Sequence, residues 1–151
     1  MAKARQTILI LNGPNLNMLG VREPDVYGFK SLSAIALECE EHASELGFSI
    51  DFRQSNIEGE MITILHEARD AVAGVVINAG GYAHTSVALH DALKILDCPI
   101  IEVHLSNTAK RENFRHHSYV APVATGVISG FGGYGYILAL DALRAQLDDE
   151  R

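Results

Sequence analysis

Three short runs in this chain are apolar with almost no alternation, and that pattern narrows the possible folds sharply. They are Thr7-Ile8-Leu9-Ile10, Gly74-Val75-Val76-Ile77 and Pro99-Ile100-Ile101-Glu102-Val103, the last broken only by Glu102. A strand with one wet face alternates apolar and polar residues, whereas a strand buried on both faces does not. Unalternating strands belong to parallel sheets covered by helices on both sides. The intervening segments fit. Leu32, Ile35, Ala36, Cys39, Ala43 and Leu46 recur at helical spacing, with Gly47 as a stop. Phe48 to Phe52 alternates as a half-buried strand, and Met61, Ile62, Leu65 and Ala68 mark a second helix. Val87 to Leu96 reads as a helix capped by Thr85 or Ser86, Val123 to Ile128 as a last strand, and Tyr136 to Leu147 as a last helix. Five strands alternating with about five helices predict a single α/β domain over residues 1–151, ending in a short charged tail from Asp148 to Arg151. The expected architecture is a flavodoxin-like, doubly wound, five-stranded parallel sheet of order 2-1-3-4-5 in a three-layer αβα sandwich.

That topology concentrates function at one edge. Ligands of open α/β sheets bind outside the carboxyl ends of the strands, where the strand order reverses, here between strands one and three. The first strand empties into a long loop, Leu11 to Gly28, holding three asparagines, Arg22 and Tyr27. The loop after the third strand carries Asn78 to His84, and that after the fourth carries His104, Ser106, Arg111 and Arg115. Each polar cluster therefore maps to the same crevice.

Composition removes several function classes. A formal net charge of −7 argues against nucleic acid or an anionic membrane as partner. No stretch approaches the ~18 apolar residues of a membrane span, and the amino terminus is too short in apolar residues for a signal peptide. Cys39 and Cys98 lie in apolar patterns as small buried hydrophobes and fit a reducing compartment, so the expected location is cytoplasmic.

Within the crevice, His84 and His104 each follow a strand end. Glu102 shares a strand face with His104 by period-two spacing, so its carboxylate could hold the imidazole for acid–base work. His42, His66, His90, His116 and His117 read as ordinary surface or core histidines, and no paired His or Cys stands at metal-ligand spacing. Tyr27 is open to two readings. It packs on its loop, or it is a base activated by Arg22 and Arg111, because one guanidinium within about 4 Å offers roughly the 4 kcal/mol needed to depress a phenol by ~3 units. The basic stretch Lys110 to His117 is either a solvated charge run or an anion site, to which Ser106 and the amides at Leu105-Ser106 could contribute. Gly130-Phe131-Gly132-Gly133-Tyr134-Gly135 matches G-x-G-x-x-G but lacks the following strand of a dinucleotide unit, so its glycines read as structural. A flavin- or nucleotide-binding module remains the competing class. A lysine Schiff base is a further alternative, for which Lys3, Lys30, Lys94 and Lys110 are the only candidates.

Taken together, Asn12-Gly13-Pro14-Asn15-Leu16-Asn17, Arg22-Glu23-Pro24, Tyr27-Gly28, Asn78 with Gly80-Gly81, His84-Thr85-Ser86, Glu102 to Asn107 and Arg111-Glu112-x-Phe114-Arg115 resemble type II 3-dehydroquinate dehydratase. Gly130-Phe131-Gly132 and Gly135-Tyr136 match its carboxy-terminal pattern, and the likeness spans nearly the whole chain. The resemblance implies reversible anti-elimination of water from 3-dehydroquinate without metal or organic cofactor. It implies Tyr27 as base, Arg22 as a lid arginine that with Arg111 lowers the phenol's pKa, and Asn15 as holder of a water against the enolate oxygen. His104 corresponds to the general acid and Glu102 to its orienter. Asn78, His84 and Arg115 correspond to ring-hydroxyl contacts, Leu105 and Ser106 to a carboxylate cradle, and Gly80 and Gly81 to the same substrate-binding set. Asp91 corresponds to a carboxylate delivered from a neighbouring subunit of a trimer-based homododecamer. Met18, Ser31 to Ser33, Ala79-Gly80-Gly81 and His90 depart from the commoner family pattern.

Overall fold

A computed structural model describes residues 5–21, 23–27 and 30–149. Strands β1 (Gln6–Asn12), β2 (Phe48–Gln54), β3 (Gly74–Asn78), β4 (Ile100–His104) and β5 (Gly126–Ser129) form one parallel sheet in the order β2-β1-β3-β4-β5. Helices α1 (Pro24–Tyr27), α2 (Leu32–Glu45), α3 (Glu58–Ala68), α4 (Val87–Lys94) and α5 (Tyr134–Asp149) complete the fold. The strand order is the one expected, and β1 and β3 are neighbours at the switch point.

Alternation along the strands sorts the core into two layers. Ile8, Ile10, Val76, Ile101 and Val103 face α2 and α5, where Ile35, Cys39, Tyr136, Leu140 and Leu143 cover them. Leu9, Leu11, Val75, Ile77 and Ile100 face α3 and α4, against Met61, Leu65, Leu89 and Leu93. β1 and β3 are buried along nearly their whole length, as their unalternating composition requires. β2, at the edge, is only half buried. Ser31 and Ser86 cap α2 and α4 by accepting from Ala34 N and Leu89 N. Gly47 ends α2 with φ +81°, a conformation that favours glycine.

The expectations differ from the structure at α5, at β5 and at Cys98. α5 runs to Asp149, so the charged tail expected from Asp148 is helical in its first two residues. The β4–β5 connection, read in the sequence only as a basic stretch, contains no α-helix and runs through 3-10 turns at Thr108–Lys110, Asn113–Arg115 and Ala121–Val123. Its composition explains this, since Asn107 caps the first turn by accepting from Ala109 N, and Pro122 withholds an N–H donor from the last. Val123 accordingly belongs to a turn, and β5 begins at Gly126. Finally, Cys39 is buried as expected but Cys98 only partly so. Burial pushes the Cys39 thiol up to about 12.

The two loops flanking the switch point are locked at Gly13. Its N–H donates to the Asn78 carbonyl oxygen at 2.8 Å, and a Cβ at residue 13 would lie 2.3 Å from the Ala79 carbonyl oxygen. No side chain fits there without separating the loops. Gly13→Ala should therefore lower stability by roughly 1–3 kcal/mol or more, read as a fall in denaturation midpoint. An unchanged midpoint would show that the loops separate at no cost.

Candidate active site

Asn12 and Asn78 are paired in register at the last positions of β1 and β3, with side chains on the α5 side of the sheet. Both are buried, and the hydroxyl of Tyr136 joins them. It donates to Asn12 Oδ1 at 2.6 Å and accepts from Asn78 Nδ2 at 3.0 Å. Asn12 Nδ2 donates to the Arg53 carbonyl oxygen, while Asn78 Oδ1 accepts from Gly80 N. Every amide atom in this network thus has its role assigned, and Asn78 is fixed with its oxygen toward the Gly80 turn. Tyr136 is fully buried, and burial holds its phenol above the usual range, so it serves as a neutral bridge.

A cavity of about 130 Å³ opens above this network. Pro14, Asn15 and Leu16 line it from the first loop, Asn78, Gly80, Gly81 and His84 from the β3 side, and His104 to Ser106, Thr108, Arg111 and Arg115 from beyond β4. Asn15 adopts a left-handed conformation with φ 70°, which asparagine tolerates better than most residues, and Asn56 Oδ1 accepts from its N–H.

Two histidines stack across the cavity, ring centroids 5.9 Å apart. His104 Nε2 meets Glu102 Oε2 at 2.5 Å, in keeping with the shared strand face. His84 Nδ1 lies 2.8 Å from the His117 carbonyl oxygen, which can only accept, so Nδ1 carries the hydrogen and neutral His84 presents Nε2 as an acceptor. Burial lowers the pKa of His84 below 6.5. Donation to the His117 carbonyl and the charge of Glu102 oppose this, while His104 and Arg115 reinforce it.

Opposite stands the basic segment. Arg111 Nη1 donates to Ser106 Oγ at 3.0 Å, and Arg115 Nε donates to Glu112 Oε2 at 2.7 Å. Glu112 Oε2 also lies 3.6 Å from Arg111 Nε. An exposed carboxylate thus bridges both guanidiniums, and its own backbone N–H, followed by Arg115, keeps its pKa below the ordinary value. Two arginines, a serine and the Leu105-Ser106 backbone make a cradle suited to a carboxylate.

The structure therefore brings together Asn15, Asn78, Gly80, Gly81, His84, His104, Leu105, Ser106, Arg111 and Arg115, with Glu102 directly behind His104. Asp91 is exposed on α4 and does not line this cavity. Arg22, Gly28 and Lys3 lie outside the described residues, as does the placement of the Tyr27 side chain at the end of α1. Lys30, Lys94 and Lys110 are exposed, and none lines the cavity. Lys30 instead pairs with Glu38 at 2.7 Å. Gly130 and Gly132, at φ +99° and +59°, turn the chain from β5 into α5, and their N–H groups donate to the carbonyls of His104 and Leu105. They brace the β4 loop, as the structural reading of that motif requires. Sequence reasoning misses Tyr136, Glu112 and Ser118. Tyr136 reads in the sequence as a helix start and, with Gly135, as part of the family's carboxy-terminal pattern, with no role attached, although a tyrosine in a core position needs a polar partner. Among the described residues, no group of three or more His, Cys, Asp or Glu forms a metal-binding cluster.

The sequence profile of dehydroquinase class II matches residues 6–144. The chain belongs to this family. The 3-dehydroquinate dehydratase 1 of Agrobacterium fabrum is 56% identical over 137 residues, covering 91% of this chain and 94% of that protein. The 3-dehydroquinate dehydratase 2 of Pseudomonas aeruginosa is 58% identical over 136 residues, covering 90% and 92%. The crystal structure of the type II dehydroquinase from Propionibacterium acnes superposes with a TM-score of 0.91 at 44% identity, over 95% of this chain and 99% of that one. The resemblance carried by the loop motifs is thus a family relationship, and the flavodoxin-like sheet is the family's fold.

Two outcomes are expected from the site's hydrogen bonding. Tyr136→Phe leaves two buried amide atoms unpaired, which costs roughly 1–3 kcal/mol of stability. Chemical denaturation measures it, and a loss near zero would show that the amides repair each other. For His84, histidine-resolved NMR should give a titration midpoint below 6.5. Its stability contribution is complete above that pH and is lost as pH falls, because the unfolded chain then binds a proton that the folded site resists.

Proposed function

We propose that this chain catalyses the reversible dehydration of 3-dehydroquinate to 3-dehydroshikimate by anti-elimination through an enolate. The observation that carries the reading is the His104–Glu102 pair opening onto a cavity that also holds two arginines, Asn78 and His84, in a chain of the dehydroquinase family. The substrate has one carboxylate, several hydroxyls and a ketone, and this lining offers a partner for each.

Removing a proton from C2, next to the ketone, requires a base and donors that stabilise the enolate. Tyr27 is assigned as that base in its ionised form, with Arg22 and Arg111 supplying the positive charge that makes a phenolate accessible near neutral pH. The family motif supports the assignment, since Tyr27, Arg22 and Arg111 stand where the type II pattern has them. The C2–H bond breaks, the proton passes to the phenolate oxygen, and the electron pair forms the enolate. Asn15 holds a water against the enolate oxygen. Collapse of the enolate then forms the C1–C2 double bond and expels the C1 hydroxyl, which His104 protonates to release water. Glu102 orients His104 throughout. Leu105 N–H, Ser106 and Arg111 hold the substrate carboxylate, while Asn78, His84 and Arg115 bind ring hydroxyls.

Asp91 lies on an exposed helix face outside its own cavity, which suits delivery to a neighbouring subunit in a trimer-based homododecamer. His90, beside it, donates from Nδ1 to the Tyr119 carbonyl oxygen at 2.7 Å and so pins α4 to the segment after the basic turns. The enzyme is assigned to the cytoplasm. Among the described residues, no helix is long and apolar enough to cross a membrane.

The test is appearance of the conjugated enone of the product from 3-dehydroquinate, in buffer with chelator. Tyr27→Phe should reduce turnover by a factor of roughly 10³ or more while the substrate still binds, as expected on loss of the base. Near-normal turnover in that variant would remove Tyr27 from its role. Inactivation by borohydride with substrate would replace the tyrosinate mechanism with a lysine Schiff base.

A further inference from the structure

Glu102 is 1% exposed, and its register partners, Ile77 on β3 and Val127 on β5, offer no polar side chain. Its two carboxylate oxygens are treated unequally. Oε2 meets His104 Nε2 at 2.5 Å and Ser118 Oγ at 2.7 Å, whereas Oε1 is buried without a hydrogen-bond partner among the described residues. Among those residues, Ser118 is therefore the one group besides His104 that supports this carboxylate.

The direction of the Ser118 bond is settled by counting hydrogens. A hydroxyl has one hydrogen and two acceptor positions. Ser118 Oγ accepts from Val120 N at 3.1 Å and from Ala121 N at 3.2 Å, so both positions are occupied. Its hydrogen is thereby committed to Glu102 Oε2. A hydrogen bond donated to a carboxylate oxygen is stronger than one donated to the hydroxyl of a neutral carboxyl. The Ser118 hydrogen therefore favours keeping the proton of the short Glu102–His104 contact on the imidazole nitrogen. With Nε2 so engaged, Nδ1 is the ring nitrogen left for a ligand, and proton donation from it draws on the doubly protonated ring that ionised Glu102 favours.

We propose that Ser118 is a positioning residue for the proton-donating histidine, acting through Glu102. The backbone amides entering the Ala121–Val123 turn orient Ser118, Ser118 holds Glu102, and Glu102 holds the ring and tautomer of His104. The inference rests on the reading of His104 as general acid. It also gives the β4–β5 connection a second task, since the segment that carries Arg111 and Arg115 ends in this relay.

The test uses the assembled enzyme and the enone assay. Ser118→Ala should lower kcat roughly tenfold to a hundredfold, the effect of one charge-assisted hydrogen bond, with KM changed less than about threefold. Ser118→Thr keeps the oxygen and should recover most of the rate. His104→Asn should be strongly impaired, and adding Ser118→Ala to it should cost nothing further, because the two act as one unit. In ¹⁵N-histidine NMR, Ser118→Ala should shift the His104 signals away from the Nε2-protonated form, a change that simple loosening of the turn would not produce. If Ser118→Ala does not fold, Ser118→Cys, a weak donor of similar shape, takes its place with the same expected loss. Wild-type kcat in the folded Ser118 variant overturns the proposal, as does an equal loss of rate in the His104→Asn background. Wild-type dehydration by His104→Asn alone overturns the acid assignment, and the proposal with it.

Discussion

The hydroxyl of Tyr136 between Asn12 and Asn78 is the interaction on which the site's geometry depends. Two strands that end side by side in a parallel sheet leave their last polar side chains facing each other under a helix, cut off from water. Such a pair of amides needs a third group that donates to one and accepts from the other, and a tyrosine reaching from α5 does both. The outcome is more than satisfied hydrogen bonds. It decides which end of Asn78 meets the Gly80 turn, and it ties the first helical turn of α5 to the floor of the cavity. Gly13 supplies the complementary constraint from above, holding the β1 and β3 loops at a separation that excludes any side chain.

Around that floor, the walls have different mechanical origins. Glu102 and His104 belong to β4, a strand buried in the sheet, so the position of this pair is inherited from the core. Arg111, Arg115 and Ser118 come from a connection with no α-helix, built from short 3-10 turns, the first of them capped by Asn107. With turns in place of a crossover helix, this connection brings Arg111 and Arg115 to the cavity beyond the strand ends. Tyr27 closes a third kind of element, the single helical turn α1 that follows the β1 loop. The histidine pair, the arginine cradle and Tyr27 thus rest on three kinds of support, and only the first is part of the sheet.

Much of this is legible in the residues. The unalternating runs identify β1 and β3 as interior strands, period-two spacing puts Glu102 beside His104, and the placement of polar loops after strands 1, 3 and 4 locates the crevice. Legibility ends where local pattern and tertiary demand diverge. The segment from Thr108 to Val123 has no periodicity, so its turns are invisible and the apolar pattern carries strand five back to Val123. Ser118 and Glu112 act by contacts set by those turns, and neither type nor spacing distinguishes them from other polar surface residues. Tyr136 is hidden for the opposite reason, since its helical position makes a bland core role sufficient. Asp91, Arg22 and Tyr27 are singled out by family likeness, because nothing in their local sequence separates a reactive group from a solvated one.

Glu112, bridging Arg111 and Arg115 from the solvent side, has a consequence for how a ligand finds this crevice. The chain is acidic overall, with a formal net charge of −7, so at long range it repels anions. Screening limits each charge to roughly one Debye length, about 8 Å at physiological ionic strength, so a ligand in the cavity meets chiefly Arg111 and Arg115. Because Glu112 takes up the Nε positions of both arginines from outside, little of their charge is advertised to solvent. Encounter is thereby separated from capture. Capture falls to the cavity, which Arg111 and Arg115 line.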